Sequence, residues 1–156
     1  MKILGKLEEI LSASFILITV ILVIMNVIMR YLLNMGIFWT EEVATYCFVW
    51  SVFLGASAAY KQRIHIGIDL LTRIVPENLK PLSKMIINFF MILINGYITY
   101  LAVIFVSFSI GKPTPVLGVS SAYVNSAVLV AFALMTFHAL RYFIKNLKLM
   151  VKENNN

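Results

Sequence analysis

Four apolar runs of about twenty residues or more occupy most of this chain and leave it few ways to fold. They cover approximately Ile10 to Met29, Trp39 to Tyr60, Met85 to Ile110 and Ala122 to Tyr142. A run of that length crosses the ~30 Å hydrocarbon core of a bilayer as a helix. Inside hydrocarbon, only helices and closed barrels satisfy every backbone N–H and C=O. The expected fold is an all-α membrane protein, with four transmembrane helices forming a single membrane domain over residues 1–156. Composition agrees, with 61% hydrophobic and 13% charged residues, where a soluble domain is roughly half apolar and a quarter charged. The first run is too long for the apolar core of a cleavable signal, no small-residue cleavage site follows it, and Asn26 and Arg30 close it. The runs show no internal repeat, which argues against an inverted-repeat transport core within this chain.

Charge gives the orientation. Lys2 and Lys6 precede the first run. Lys61, Arg63, Arg73, Lys80 and Lys84 lie between the second and third, and Arg141, Lys145, Lys148 and Lys152 follow the fourth. The remaining connections hold only Arg30 and Lys112. By the positive-inside rule both termini and the central connection are cytoplasmic, and the short connections 31–38 and 111–121 face the periplasm or exterior. The net charge of +6 thus marks topology, and no nucleic-acid partner is expected. The polar tail 151–156 reads as frayed. The single cysteine, Cys47, lies in an apolar run and reads as a small hydrophobic filler, because it cannot form a redox pair or a thiolate metal site alone.

Polar and small residues within the runs look like packing devices. Ser51, Gly55 and Ala59 recur every four residues, a spacing that lets helix backbones approach closely in lipid. Asn88, Asn95 and Thr99 share a stripe that should face protein, either as interhelical hydrogen bonds or as a cation or substrate path. Trp39, Tyr60, Tyr123 and Tyr142 fall near the span ends, as an aromatic belt does.

Arg30, Glu41 and Glu42 sit at the outer boundary, where the cost of a charge at mid-membrane is largely avoided. An Arg30–Glu42 pair and the positive end of the second helix dipole account for them as a cap and brace. The other reading is a proton or Na⁺ coupling site, but such sites usually lie near the midplane on broken helices. Beyond Tyr60, residues Ile68, Leu71, Ile74 and Val75 recur at helical spacing, and Asp69 can pair with Arg73. A short amphipathic helix over about 66–75, lying in the cytoplasmic interface, is expected there. His65, just before it, reads as a hydrogen-bonding strut or as a ligand or pH switch.

One ordered set is more specific. An apolar span ends in Arg30. A short loop leads to W-x-E-E at Trp39–Glu42, then to W-x4-G at Trp50 and Gly55, then to H-I-x-I-D at His65, Ile66 and Asp69. This set resembles the small membrane subunit of TRAP transporters, the DctQ and SiaQ type, and with length and span number the resemblance covers essentially the whole chain. It implies a secondary transporter for organic acids, usually Na⁺-driven, in the inner membrane of a bacterium or archaeon. A separate periplasmic protein delivers the substrate. A large membrane subunit carries the substrate and Na⁺ sites in an elevator-like domain, so no cofactor is expected in this chain. The small subunit would extend the static scaffold. On this reading Arg30, Trp39 and Glu42 brace the outer helix ends, and Lys61, His65 and Asp69 brace the cytoplasmic turn. Lys112, Pro113, Thr114 and Pro115 are candidate contacts for the binding protein.

Other classes fit less well. A small four-helix exporter needs an acidic residue inside its first span, where only Glu9 stands near the entry. A haem-binding anchor commonly needs an axial histidine pair, and the chain has only His65 and His138, both toward the cytoplasmic side. A stand-alone four-helix structural protein is the further alternative. The cargo is not legible, because its ligands would lie on another chain.

Overall fold

In the computed structural model the backbone is described for residues 2–74 and 80–153, and side chains for residues 6–62, 83 and 85–148. Four helices follow in order: α1 Lys2–Leu32, α2 Phe38–Ile74, α3 Lys80–Ser109 and α4 Ala122–Glu153. Each contains a stretch long and apolar enough to cross a membrane: Lys6–Leu32, Phe38–Gln62, Met85–Ser109 and Ala122–Lys148. The expected spans are therefore present, each within a longer helix. At 1.5 Å per residue, α2 is about 55 Å long, so part of it must extend beyond the hydrocarbon.

The separate interfacial helix expected over about 66–75 is not a separate element. The backbone remains helical from Phe38 without a break through Ile74, so the segment is the last part of α2. Gly67 is the residue of poorest helix propensity there, and one interior glycine costs about 1 kcal/mol, too little to end a helix. The side chains of His65 and Asp69 lie outside the described residues.

The connection at 33–37 turns where Asn34 adopts the left-handed conformation, with φ of 51°, which asparagine tolerates better than most residues. Thr40 donates its hydroxyl to the Ile37 carbonyl at 2.6 Å, tying the turn to the start of α2. Pro113 and Pro115 keep α3 from continuing. The chain instead forms a tight hairpin, with an isolated bridge between Pro113 and Ser120 and the Thr114 N–H bonded to the Val119 carbonyl at 2.8 Å. Gly118, at φ +66°, supplies the positive φ that this turn requires. Ser120 then caps α4 by accepting from the Ala122 N–H at 3.3 Å.

α1 packs on α2 and α3 packs on α4, while α2 and α4 pack on each other, so the lateral order is α1–α2–α4–α3. The buried apolar residues are mostly small: Ala44, Ala58, Ala102, Ala127, Ala131 and Ala139, with Leu54 and Met135. Burying small residues lets helices meet closely where lipid removes any hydrophobic drive to associate. Large aliphatic side chains point outward along α1 and α3, as lipid-facing residues do.

Candidate functional site

Five polar residues of α1 lie on one face. Glu8, Ser12, Thr19, Asn26 and Arg30 are separated by four, seven, seven and four residues, a spacing that holds one stripe along a helix. Each reaches α2. Ser57 donates to Glu8 Oε2 at 3.2 Å, and Ser12 donates to the Ser51 carbonyl at 2.8 Å. The Thr19 hydroxyl lies 3.4 Å from the Ala44 carbonyl, and Asn26 donates to Glu41 Oε1 at 3.0 Å. Arg30 stands 3.7 Å from that same oxygen. The two antiparallel helices are thus laced along their length by a polar seam.

At the loop end this corrects the expected ion pair. The partner of Arg30 is Glu41, not Glu42. Successive residues on a helix point about 100° apart, so only one of the two glutamates can face α1. Glu42 faces the hairpin instead. It accepts the backbone N–H groups of Val116 at 2.8 Å and Leu117 at 3.1 Å, and the Tyr46 hydroxyl bonds its other oxygen. One carboxylate on α2 therefore fastens the connection between α3 and α4. Glu42→Ala is expected to leave the helices in place but raise amide hydrogen exchange at Val116 and Leu117 toward that of unprotected amides. Exchange mass spectrometry of the 112–120 segment checks this.

Of the hairpin residues singled out from the sequence, Lys112, Pro113 and Pro115 are exposed. Thr114 is buried, at 7% relative exposure, and so does not present a surface contact. Its backbone is held inside the turn by Val119 and Gly118. Val116, Leu117 and Val119 are exposed there instead.

Along α2, Ser51 is buried against α1 and Gly55 receives the Ser12 hydroxyl. A Cβ built on Gly55 would stand 2.9 Å from Ser12 Oγ. Ala59, expected on the same stripe, is exposed. Two steps of four residues rotate a helix by about 80°, which carries Ala59 off the face that Ser51 begins. Leu54, Ser57 and Ala58 are buried in its place. Gly55→Ala is expected to push the Ser12 hydroxyl from the Ser51 carbonyl and to lower thermal stability. Adding Gly55→Ala to Ser12→Ala should cost less than adding it to the native chain. A double-mutant cycle on melting temperature reads this coupling.

Trp50 joins three helices: its ring lies 6.0 Å from Phe15 of α1, and its Nε1 donates to the Tyr123 carbonyl of α4 at 3.2 Å. Trp39 is largely exposed at the start of α2, and Lys61 is half-buried. On α3, Asn95 donates to the Tyr60 hydroxyl at 2.9 Å, and Thr99 shares a 3.2 Å bond with Thr136 of α4. Asn88 is buried, and its amide nitrogen has no partner among the described residues.

At the terminus end lies a group that the sequence did not single out. Glu8 is buried at 5% exposure; its Oε1 is 3.0 Å from His138 Nε2 of α4, while Ser57 of α2 holds the other oxygen. The triad ties α1, α2 and α4 together inside the first turns of the span. His138 was visible as a histidine and Glu8 as one of two adjacent glutamates. The signal that joins Glu8 to the seam is its four-residue offset from Ser12. The ring nitrogen that a haem would compete for is engaged by this carboxylate.

These features define a multi-pass helical membrane subunit whose polar side chains bind its own helices together. The family described as tripartite ATP-independent periplasmic transporters, DctQ component, matches residues 19–149, and the chain belongs to that family. It is accordingly a transporter membrane subunit and not an enzyme. It is similar to a putative TRAP transporter small permease protein of Haemophilus influenzae, 26% identical over 147 residues, covering 94% of this chain and 89% of that one. Similarity to the sialic acid TRAP transporter small permease protein SiaQ of Vibrio cholerae is 23% identity over 150 residues, 96% of this chain and 87% of that one. The C4-dicarboxylate TRAP transporter small permease protein DctQ of Vibrio cholerae is 41% identical over 81 residues. That match covers 52% of this chain but only 35% of the relative's length.

Proposed function

We propose that this chain is the static small subunit of a TRAP-type secondary transporter that takes up an organic acid, such as a C4-dicarboxylate or sialic acid, on a Na⁺ gradient. The substrate and Na⁺ sites belong to a large elevator-type membrane subunit, and this chain extends the scaffold against which that subunit moves. The complex sits in the cytoplasmic membrane with both termini of this chain inside. Its loop end then faces the periplasm, where the hairpin receives the substrate-binding protein.

The observation that supports this reading is the polar seam. The buried polar residues of α1 are used in bonds to neighbouring helices, and the carboxylates Glu41 and Glu42 sit at a helix end, bonded to α1 and to the hairpin. The arrangement suits a brace more than a path. The test is co-expression with the large permease subunit of the same transporter and purification through a tag on this chain. A stoichiometric pair is expected, and recovery of this chain alone contradicts the proposal. Lys112→Glu should leave that pair intact while lowering both the affinity of the substrate-binding protein and the rate of uptake. Unchanged affinity and uptake would mean that Lys112 is no part of the docking surface.

A further inference from the structure

The two outermost helices differ in what they turn away from the bundle. The outward side chains of α1 between Phe15 and Met29 are aliphatic, including Leu17, Ile18, Ile21, Ile24 and Ile28. The two polar residues of that stretch, Thr19 and Asn26, are buried and bonded to α2. Lipid satisfies such a surface completely.

α3 does not have that character. Tyr97 is 63% exposed and Tyr100 is 61% exposed, and neither hydroxyl is bonded among the described residues. Tyr97 stands at the centre of the apolar stretch Met85–Ser109, twelve residues or about 18 Å from either end. Tyrosines in membrane helices normally gather at the two interfaces, where the hydroxyl meets water. From mid-membrane a tyrosine cannot reach either surface. A hydroxyl left without a partner in hydrocarbon is unfavourable, because nothing there replaces the hydrogen bonds it makes in water. Phe90, Leu93, Tyr97, Tyr100 and Phe108 lie on one side of the helix and are all exposed. Gly96 leaves open space beside them, since a Cβ there would meet nothing within 4 Å. An aromatic stripe with a notch and two hydrogen-bonding groups at the midplane has the composition of a helix–helix interface, not of a lipid face.

We infer that the outward face of α3, centred on Tyr97 and Tyr100, is the surface on which the large membrane subunit packs, with a small residue in the notch and hydrogen-bond acceptors at mid-membrane depth. This rests on the reading of the chain as one membrane component of a tripartite transporter, a family that supplies a partner embedded at the same depth. α1 then faces lipid.

The test places a benzophenone amino acid at position 97 or 104 of α3 and, for comparison, at position 17 or 24 of α1. The chain is co-expressed with the large permease subunit and irradiated in membranes. The expected result is an adduct with the large subunit from α3 positions and its loss from α1 positions. Tyr97→Phe and Tyr100→Phe should each raise the dissociation constant of the purified pair by about three- to twentyfold, the range of one interhelical hydrogen bond in a membrane. They should leave the melting temperature of the isolated chain unchanged, which a purely internal role would not. If the large subunit co-purifies but cross-links through α1, the assigned face is wrong and the subunit reading stands. An adduct between two copies of this chain through α3 overturns the inference in favour of a homodimer. If no large subunit co-purifies, both the face and the subunit reading fall.

Discussion

Replacing His138 with leucine is expected to lower the melting temperature of the purified protein by about 5 °C. The change leaves the Glu8 carboxyl buried with only the Ser57 hydroxyl to serve it. Removing one partner of a buried hydrogen-bonded pair typically costs about 1–3 kcal/mol, because the survivor has no solvent to turn to. Glu8→Gln should cost less, since an amide can still accept from Ser57 and meet the imidazole. Glu8→Leu combined with His138→Leu should recover most of the loss, because two apolar side chains have no desolvation penalty to offset. Thermal unfolding in detergent of the single and double variants reads all three. If the double variant is as unstable as the sum of the singles, the two residues are not coupled as the 3.0 Å contact indicates.

The second large effect is expected from Ala131→Leu. Ala127 and Ala131 are completely buried and Ala139 nearly so, and with Met135 they follow each other every four residues along α4. α4 packs on both α2 and α3, and side chains this buried face neighbouring helices and not lipid. Three further carbon atoms at the centre of this stripe have no space without separating the helices. Overpacking of this kind costs about 1–3 kcal/mol. The melting temperature should fall by several degrees. Ala133→Leu, two residues away on an exposed face, should leave it unchanged. Equal effects at both positions would show that the stripe is not the close contact between helices.

The four spans were legible because a bilayer prescribes length and apolarity, and no alternative fold satisfies twenty-residue apolar runs. Lateral order was not legible. Glu41 and Glu42 both lay within reach of Arg30 by sequence distance. The choice between them depended on which side of α2 faced α1. Once the order is α1–α2–α4–α3, Glu41 serves the seam and Glu42 serves the hairpin. The same gap explains Ala59, since three small residues at four-residue spacing define a drifting stripe rather than a fixed face. Glu8 was missed for a different reason. At the start of a span it reads as a solvated entry charge beside Glu9, and only its register with Ser12, Thr19, Asn26 and Arg30 shows that it points inward. Gln62 bonds Glu9 at 2.8 Å in an exposed position, so two adjacent glutamates again have opposite roles. The ordered set from Arg30 to Asp69 carried the family resemblance, and that resemblance agrees with a family match over residues 19–149.

On the proposed scaffold role, the polar residues of this chain hold helices together and carry no ion or proton. The most direct measurement is Na⁺-driven uptake by proteoliposomes containing the assembled transporter with Glu8→Leu and His138→Leu in this chain. That variant removes the buried carboxylate and imidazole and keeps their volume apolar. Uptake per assembled complex equal to that of the native transporter is the predicted result. Abolished uptake by a complex that still assembles in full would place coupling chemistry in this subunit and contradict the account.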